Sequence, residues 1–303
     1  MPPSPDPDIA ILGAGAFGRA LAIQARRAGQ SVTGWARREV AVDGLTWSPE
    51  AACARARLVV VAVPVAHAVE VIRRLGLAER PLVLACKGMD AEGRFPSERL
   101  PHAALLSGPT FAHEIARGLP AAAVIAASDA TLRQEAVARL GSRGLRLYPT
   151  DDMAGTMVCG AAKNVVAIAA GGCIGMGLGE SARAALVTRG LAEIGRLAAA
   201  MGGRAETVAG LSGMGDLMLT CAGAASRNYA FGLALGGGAG VGDALAASRG
   251  VVEGHTTASV LVRRAEGLGV DMPISAAVAG VLDGRLTVRA AMEALLARPV
   301  RGQ

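Results

Sequence analysis

Lys87 and Lys163 are the only lysines among the 31 basic residues of this chain; every other positive charge is an arginine. The difference is chemical. A guanidinium keeps its proton in any protein setting, whereas an ammonium can be tuned by its surroundings to give one up and take it back. Asparagine is just as scarce, with only Asn164, directly after Lys163, and Asn228, inside Ser226-Arg227-Asn228. Lys163 and Asn164 lie in Gly160-Ala161-Ala162-Lys163-Asn164-Val165-Val166-Ala167-Ile168, an apolar segment of helical character. Burial there lowers a lysine's pKa toward the range that a general acid/base uses near neutral pH. Asp216, in the glycine-flanked Gly213-Met214-Gly215-Asp216, is suited to pair with a lysine and fix its position. Ser226, Arg227 and Asn228 form a candidate phosphate clamp at a helix start. Two further loops follow apolar runs and so carry candidate ligand groups: Cys86-Lys87-Gly88, and Ser107-Gly108-Pro109-Thr110-Phe111-Ala112 with its hydroxyls and backbone donors.

The elements that must position these residues fall into two textures. Ile9-Ala10-Ile11-Leu12 leads into Gly13-Ala14-Gly15-Ala16-Phe17-Gly18 and then a helical Arg19-Ala20-Leu21-Ala22-Ile23-Gln24-Ala25. This is G-x-G-x-x-G in the strand-before, helix-after context that dinucleotide binding requires. Gly13 permits the tight turn, Gly15 lets a pyrophosphate approach the backbone, and Gly18 lets helix and strand pack closely. Ser31 to Trp35 reads as the next strand, and Arg37 and Arg38 stand where the adenosine ribose is met. Two guanidiniums there suit the extra phosphate of NADP, where an acidic residue would favour NAD. Further β-like segments at 58–63, 82–86, 103–106, 121–126 and 145–148 alternate with helical patterns. The fold class expected is α/β: a Rossmann-type, doubly wound, mainly parallel sheet over residues 1–150, followed by an all-helical domain over 151–303.

Composition excludes several functions. The net charge of +6 comes from arginines scattered in ones and twos, and two Trp, two Tyr and four Phe give few platforms for bases, so nucleic acid is not expected. The diffuse positive field suits small anionic ligands. Five cysteines without C-x-x-C pairing imply a reducing compartment, and four histidines without metal spacing imply no metal. The opening Met1 to Asp8 lacks a basic n-region and an apolar core, so a cytoplasmic chain is expected. The apolar stretch from Val158 to Leu178 is interrupted by Lys163 and glycines, which reads as a buried helix and not a membrane span.

Taken together and in order, these motifs resemble the bacterial NAD(P)-dependent sn-glycerol-3-phosphate dehydrogenases along nearly the whole chain. The matching segments are Gly13 to Gly18, Cys86-Lys87-Gly88, Ser107 to Ala112 with Gly118-Leu119-Pro120, Gly160 to Asn164, Ala184 to Glu193, Gly213 to Cys221, Ser226 to Asn228 and Val251-Val252-Glu253-Gly254. The resemblance implies reduction of dihydroxyacetone phosphate to sn-glycerol 3-phosphate with NADPH or NADH, for phospholipid synthesis. A homodimer is expected because the long apolar helices of the second half exceed what one small core can bury. The resemblance also implies that Lys163 carries the proton and that Asp216 holds it. It places Lys87, Gly108, Thr110, Lys163, Asn164, Asp216, Ser226, Arg227 and Asn228 at the triose phosphate, with Lys87 and Arg227 also reaching the cofactor. Around the dinucleotide it places Ala16, Phe17, Arg37, Arg38, Ala112, Val251 and Glu253. Ala16-Phe17 departs from the family's commoner Ser-Trp, and the segment between Arg38 and Leu58 is shorter than usual. Two alternatives stay open on the residues alone: a β-hydroxyacid or ketopantoate-type reductase, and a non-catalytic dinucleotide sensor.

Overall fold

Every residue of Ile9-Ala10-Ile11-Leu12 is fully buried, as in a strand covered on both faces, and the segment is a central strand of the sheet. The computed structural model describes residues 6–49, 51, 53–248 and 250–297. Two units divide it: residues up to Lys87 with Arg94–Thr156, and Gly88–Gly93 with the chain from Met157 onward. The change of unit after Thr156 falls inside a helix, whereas the boundary expected from sequence, 150/151, lies at a strand end.

The first unit contains β1 (Ile9–Leu12), β2 (Val32–Trp35), β3 (Val40–Val42), β4 (Leu45–Trp47), β5 (Leu58–Val61), β6 (Leu82–Leu84), β7 (Ala104–Ser107), β8 (Ala121–Ala126) and β9 (Leu145–Thr150). They form one sheet in the order β3-β4-β2-β1-β5-β6-β7-β8-β9. Pairing is parallel except at β3–β4 and β7–β8. The register sets Leu12 beside Trp35 and Val61, so the loops after β1, β2 and β5 leave the same sheet edge. Its helices are α1 (Ala16–Arg27), α2 (Val65–Arg74), α3 (Pro96–Arg99), α4 (Ala112–Arg117) and α5 (Ala130–Leu140). Leu21, Ala25, Val60, Ile115, Ile125 and Leu132 belong to one apolar core between helices and sheet. The β3–β4 hairpin is an addition to the expected pattern: strands of three residues are too short to show a period-two signal.

The second unit is helical, as expected. It comprises α6 (Met153–Gly175, begun in the first unit), α7 (Gly179–Ala200), α8 (Ala205–Ala209), a π-helical turn at Leu211–Gly215, α9 (Asp216–Cys221), α10 (Arg227–Gly236), α11 (Val241–Ala247), α12 (Glu253–Gly267), α13 (Pro273–Leu282) and α14 (Val288–Leu296). Helix α6 is long and apolar enough to cross a membrane by composition, yet 83% of its most apolar window is buried inside the protein. It is the core helix. Its contact with α10 is backbone on backbone. A Cβ on Gly171 would lie 2.0 Å from the Tyr229 carbonyl oxygen, and one on Gly232 would lie 2.0 Å from that of Ile168. Gly175 and Gly236 repeat the arrangement at 2.3 Å, so larger residues would force the helices apart. Glu193 of α7 is buried and accepts from the Ile274 N–H at 2.6 Å and the Ser275 N–H at 3.2 Å, capping α13. Burial raises its pKa above the ordinary carboxylate value, outweighing those hydrogen bonds and the pull of Arg196.

Candidate active site

In the first unit the glycine fingerprint is a built turn. Gly13 sits at φ +112° with its N–H donating to the Trp35 carbonyl at 2.8 Å, and a Cβ there would meet the Ala62 carbonyl oxygen at 2.8 Å. A Cβ on Gly18 would lie 2.0 Å from the Gly13 carbonyl oxygen, which is why helix α1 can pack so close to its own entry turn. Gly15 has no neighbour within 4 Å of such a Cβ, and no side chain caps α1. The helix therefore opens with free N–H groups and an unobstructed backbone, the arrangement that accepts a pyrophosphate. A dinucleotide fits this turn. Ala16 and Phe17 are the first two residues of α1, and Ala112 is the first of α4, which packs against α1. Arg37 and Arg38 leave β2 at the same sheet edge and are both exposed.

Two loop residues expected at the substrate meet directly. The Lys87 ammonium donates to the Gly108 carbonyl at 3.4 Å, and the Thr110 hydroxyl donates to the same oxygen at 3.1 Å. Gly108 lies at φ +150°, and a Cβ would come within 2.7 Å of the Ala123 Cα. Glycine is therefore required for the chain to leave β7 beside β8.

In the second unit Lys163 is 7% exposed and Asp216 is 2% exposed. The ammonium donates to Asp216 Oδ1 and, at 2.9 Å, to the Thr220 hydroxyl, which in turn donates to the Asp216 carbonyl at 2.6 Å. Such a buried pair is held by its extra hydrogen bonds, because desolvation costs each charge several kcal/mol. Asp216 is delivered by the π-helical turn before it, closed by the Gly215 N–H on the Gly210 carbonyl at 3.0 Å. That turn needs Gly213, whose Cβ would lie 2.0 Å from the Val208 carbonyl oxygen. Thr220 was not among the residues expected. Its signal is its place four residues after Asp216, on the same helical face. Neighbouring Cys221 is made inert by burial, which pushes its thiol up to about 12 despite the positive charges of Lys163 and Arg183.

Beside this pair runs a chain of amides. Asn164 Nδ2 donates to the Glu253 carboxylate at 3.1 Å, Asn228 Nδ2 donates to Asn164 Oδ1 at 2.9 Å, and the Gly254 N–H donates to Asn228 Oδ1 at 2.9 Å. Residues of α6, α10 and α12 are thereby locked together, and Gly254 permits it, since a Cβ there would lie 2.6 Å from the Asn164 carbonyl oxygen. Ser226 is the N-cap of α10, accepting from the Tyr229 N–H at 3.3 Å. Arg227 is exposed, with its guanidinium beside Gly250, and the adjoining Val251 is exposed as well. Among the described residues no three His, Cys, Asp or Glu side chains gather in a way that could hold a metal ion.

The model of the NAD-dependent glycerol-3-phosphate dehydrogenase N-terminus matches residues 8–47 and 45–133, and that of the C-terminus matches residues 152–293. The chain belongs to this family. Glycerol-3-phosphate dehydrogenases of the NAD(P)+ type from Bradyrhizobium diazoefficiens and Cereibacter sphaeroides are 44% and 46% identical to it, over 97% of this chain and 98% and 99% of theirs. The crystal structure of glycerol-3-phosphate dehydrogenase from Coxiella burnetii superposes with a TM-score of 0.87 at 34% identity, covering 96% of this chain and 98% of that one. The family uses NAD or NADP, in keeping with the dinucleotide turn after β1. Its N-terminal model matches in two pieces that overlap at residues 45–47, the residues of β4.

Proposed function

We propose that this member of the family reduces dihydroxyacetone phosphate to sn-glycerol 3-phosphate, reversibly and with NADPH as the preferred reductant. The observation that carries the reading is Lys163: one of only two lysines in the chain, buried, and bonded to Asp216 and Thr220. When bound, the nicotinamide supplies the hydride. The protein supplies a proton and alignment. In reduction Lys163 Nζ gives a proton to the oxygen of the reacting carbonyl, and in oxidation it takes one from the alcohol; arginine could do neither. Asp216 and Thr220 hold the amine in place through both. The phosphate ligands offered are Arg227, Ser226 and Asn228 in the helical unit and Lys87, Gly108 and Thr110 in the sheet unit, with Lys87 and Arg227 supplying positive charge. Asn164 orients beside Lys163 through its bonds to Glu253 and Asn228. Two exposed guanidiniums at the edge of the glycine turn, Arg37 and Arg38, support a preference for NADPH through its 2′-phosphate. The product would serve phospholipid synthesis in the cytoplasm. Exposed Leu178, Met214 and Met218 on the helical unit support a homodimer, which light scattering at twice the chain mass would bear out.

NADPH consumption with dihydroxyacetone phosphate, ketopantoate and short β-keto acids, measured side by side, tests the reading. Turnover should favour dihydroxyacetone phosphate. A preference for a keto acid would make it a reductase of that class, and NADPH binding without turnover of any carbonyl would make it a sensor.

A further inference from the structure

The β3–β4 hairpin begins one residue after the Arg37-Arg38 pair, and it is fastened at both ends. At its base Val40 pairs with Trp47, and Trp47, 1% exposed, lies on Gly34 of β2 so closely that a Cβ there would be 2.6 Å from the indole. At its tip Asp43 and Gly44 take φ +55° and +66°, the two-residue turn whose twist suits a hairpin. Arg26 of α1 donates to the Asp43 carbonyl at 2.9 Å and the Gly44 carbonyl at 3.3 Å. Arg19, two turns earlier on the same helical face, places its Nε 3.6 Å from the Asp43 carboxylate. A hairpin with strands of three residues is marginal alone, so these anchors decide whether it holds one position.

We propose that this hairpin is a cofactor-specificity element: Arg26, assisted by Arg19, fixes the tip and so the backbone from which Arg37 and Arg38 meet the 2′-phosphate of NADPH. The proposal rests on the reading of that arginine pair given above. Only Glu39 separates Arg38 from β3, so freedom in the hairpin becomes freedom in the two guanidiniums. A long cationic side chain ordered only on binding forfeits affinity to lost conformational freedom, and ordering its backbone beforehand removes part of that loss. NADH has no 2′-phosphate and gains nothing from it.

The test is the ratio of kcat/KM for NADPH to that for NADH, with dihydroxyacetone phosphate as substrate. Arg26→Ala should lower the ratio threefold or more while leaving kcat/KM for NADH within twofold. Gly44→Ala should do the same through the backbone, because its φ is unfavourable and its Cβ would lie 3.4 Å from Arg26 Nη1. In an Arg37→Ala/Arg38→Ala background, Arg26→Ala should change the ratio no further. An unchanged ratio in Arg26→Ala and Gly44→Ala, or an equal loss with both cofactors, overturns the proposal; the arginine-pair reading survives if Arg37→Ala/Arg38→Ala still lowers the ratio. If that double variant leaves the ratio unchanged, the arginine-pair reading fails and the hairpin's role fails with it.

Discussion

The candidate groups of the two units are of opposite kinds. In the sheet unit the candidate groups are backbone and surface: a glycine turn with free N–H groups, an unobstructed Gly15, and two exposed arginines. In the helical unit, apart from the exposed Arg227, they are mainly buried side chains, Lys163, Asp216, Asn164 and Asn228, each bonded to another. A cofactor shared by many enzymes is met by a generic cradle. The reacting carbon needs one proton at one place, which calls for a side chain whose freedom has been removed. Glycine serves both units, but for different ends: a tight turn with open space at Gly15 in the first, a closed gap between helices in the second.

That contrast can be broken by alanine. Gly171→Ala puts a Cβ 2.0 Å from the Tyr229 carbonyl oxygen, and separating α6 from α10 should cost about 4 kcal/mol or more, seen as a large fall in Tm. Gly172→Ala is its control: nothing lies nearer than 3.7 Å, and better helix propensity should raise stability by about 0.5–1 kcal/mol. An equal loss in both would refute the backbone-contact reading. Next in size is Asp216→Asn, which leaves the Lys163 ammonium buried without its counter-charge. A fall in kcat of about 100-fold, together with a stability loss of about 3–5 kcal/mol, is expected from steady-state kinetics and denaturant melts. Gly15→Ala should leave stability within about 0.5 kcal/mol, since its Cβ meets nothing, yet weaken NADPH binding in a fluorescence titration. Unchanged affinity would mean that the turn does not carry the cofactor.

The smallest effect is a titration. Burial lowers the pKa of His255 from its ordinary 6.5, and Asp283 opposes this only in part. A depressed histidine prefers the neutral form when folded, so its contribution is present above the unfolded pKa and is lost as pH falls through the histidine range. Tm should decline more steeply between pH 7.5 and pH 5.5 in the parent protein than in His255→Gln, conditions set by the ordinary histidine value. Parallel curves would contradict the assignment.

Local chemistry was legible in the sequence and long-range pairing was not. Gly13, Gly15 and Gly18 declare their turn because strand, motif and helix are contiguous. Lys163 stood out because charge is rare in an apolar helix. The bond of Asn228 to Asn164, 64 positions away, follows from glycine packing between α6 and α10, which no local pattern encodes. The three-residue strands of the hairpin escaped because they give no periodic signal long enough to read; β8 was expected as a strand at 121–126, but its antiparallel direction follows from its pairing with β7. Thr220 was legible in principle, one helical turn beyond Asp216.

Lys163→Arg tests the proton assignment most directly. It keeps the positive charge against Asp216 while removing the ability to release a proton. NADPH affinity, measured by titration, should be retained, and kcat for dihydroxyacetone phosphate should fall by about 100-fold or more. Turnover within tenfold of the parent, with dihydroxyacetone phosphate still the preferred substrate, would contradict the role given to this lysine.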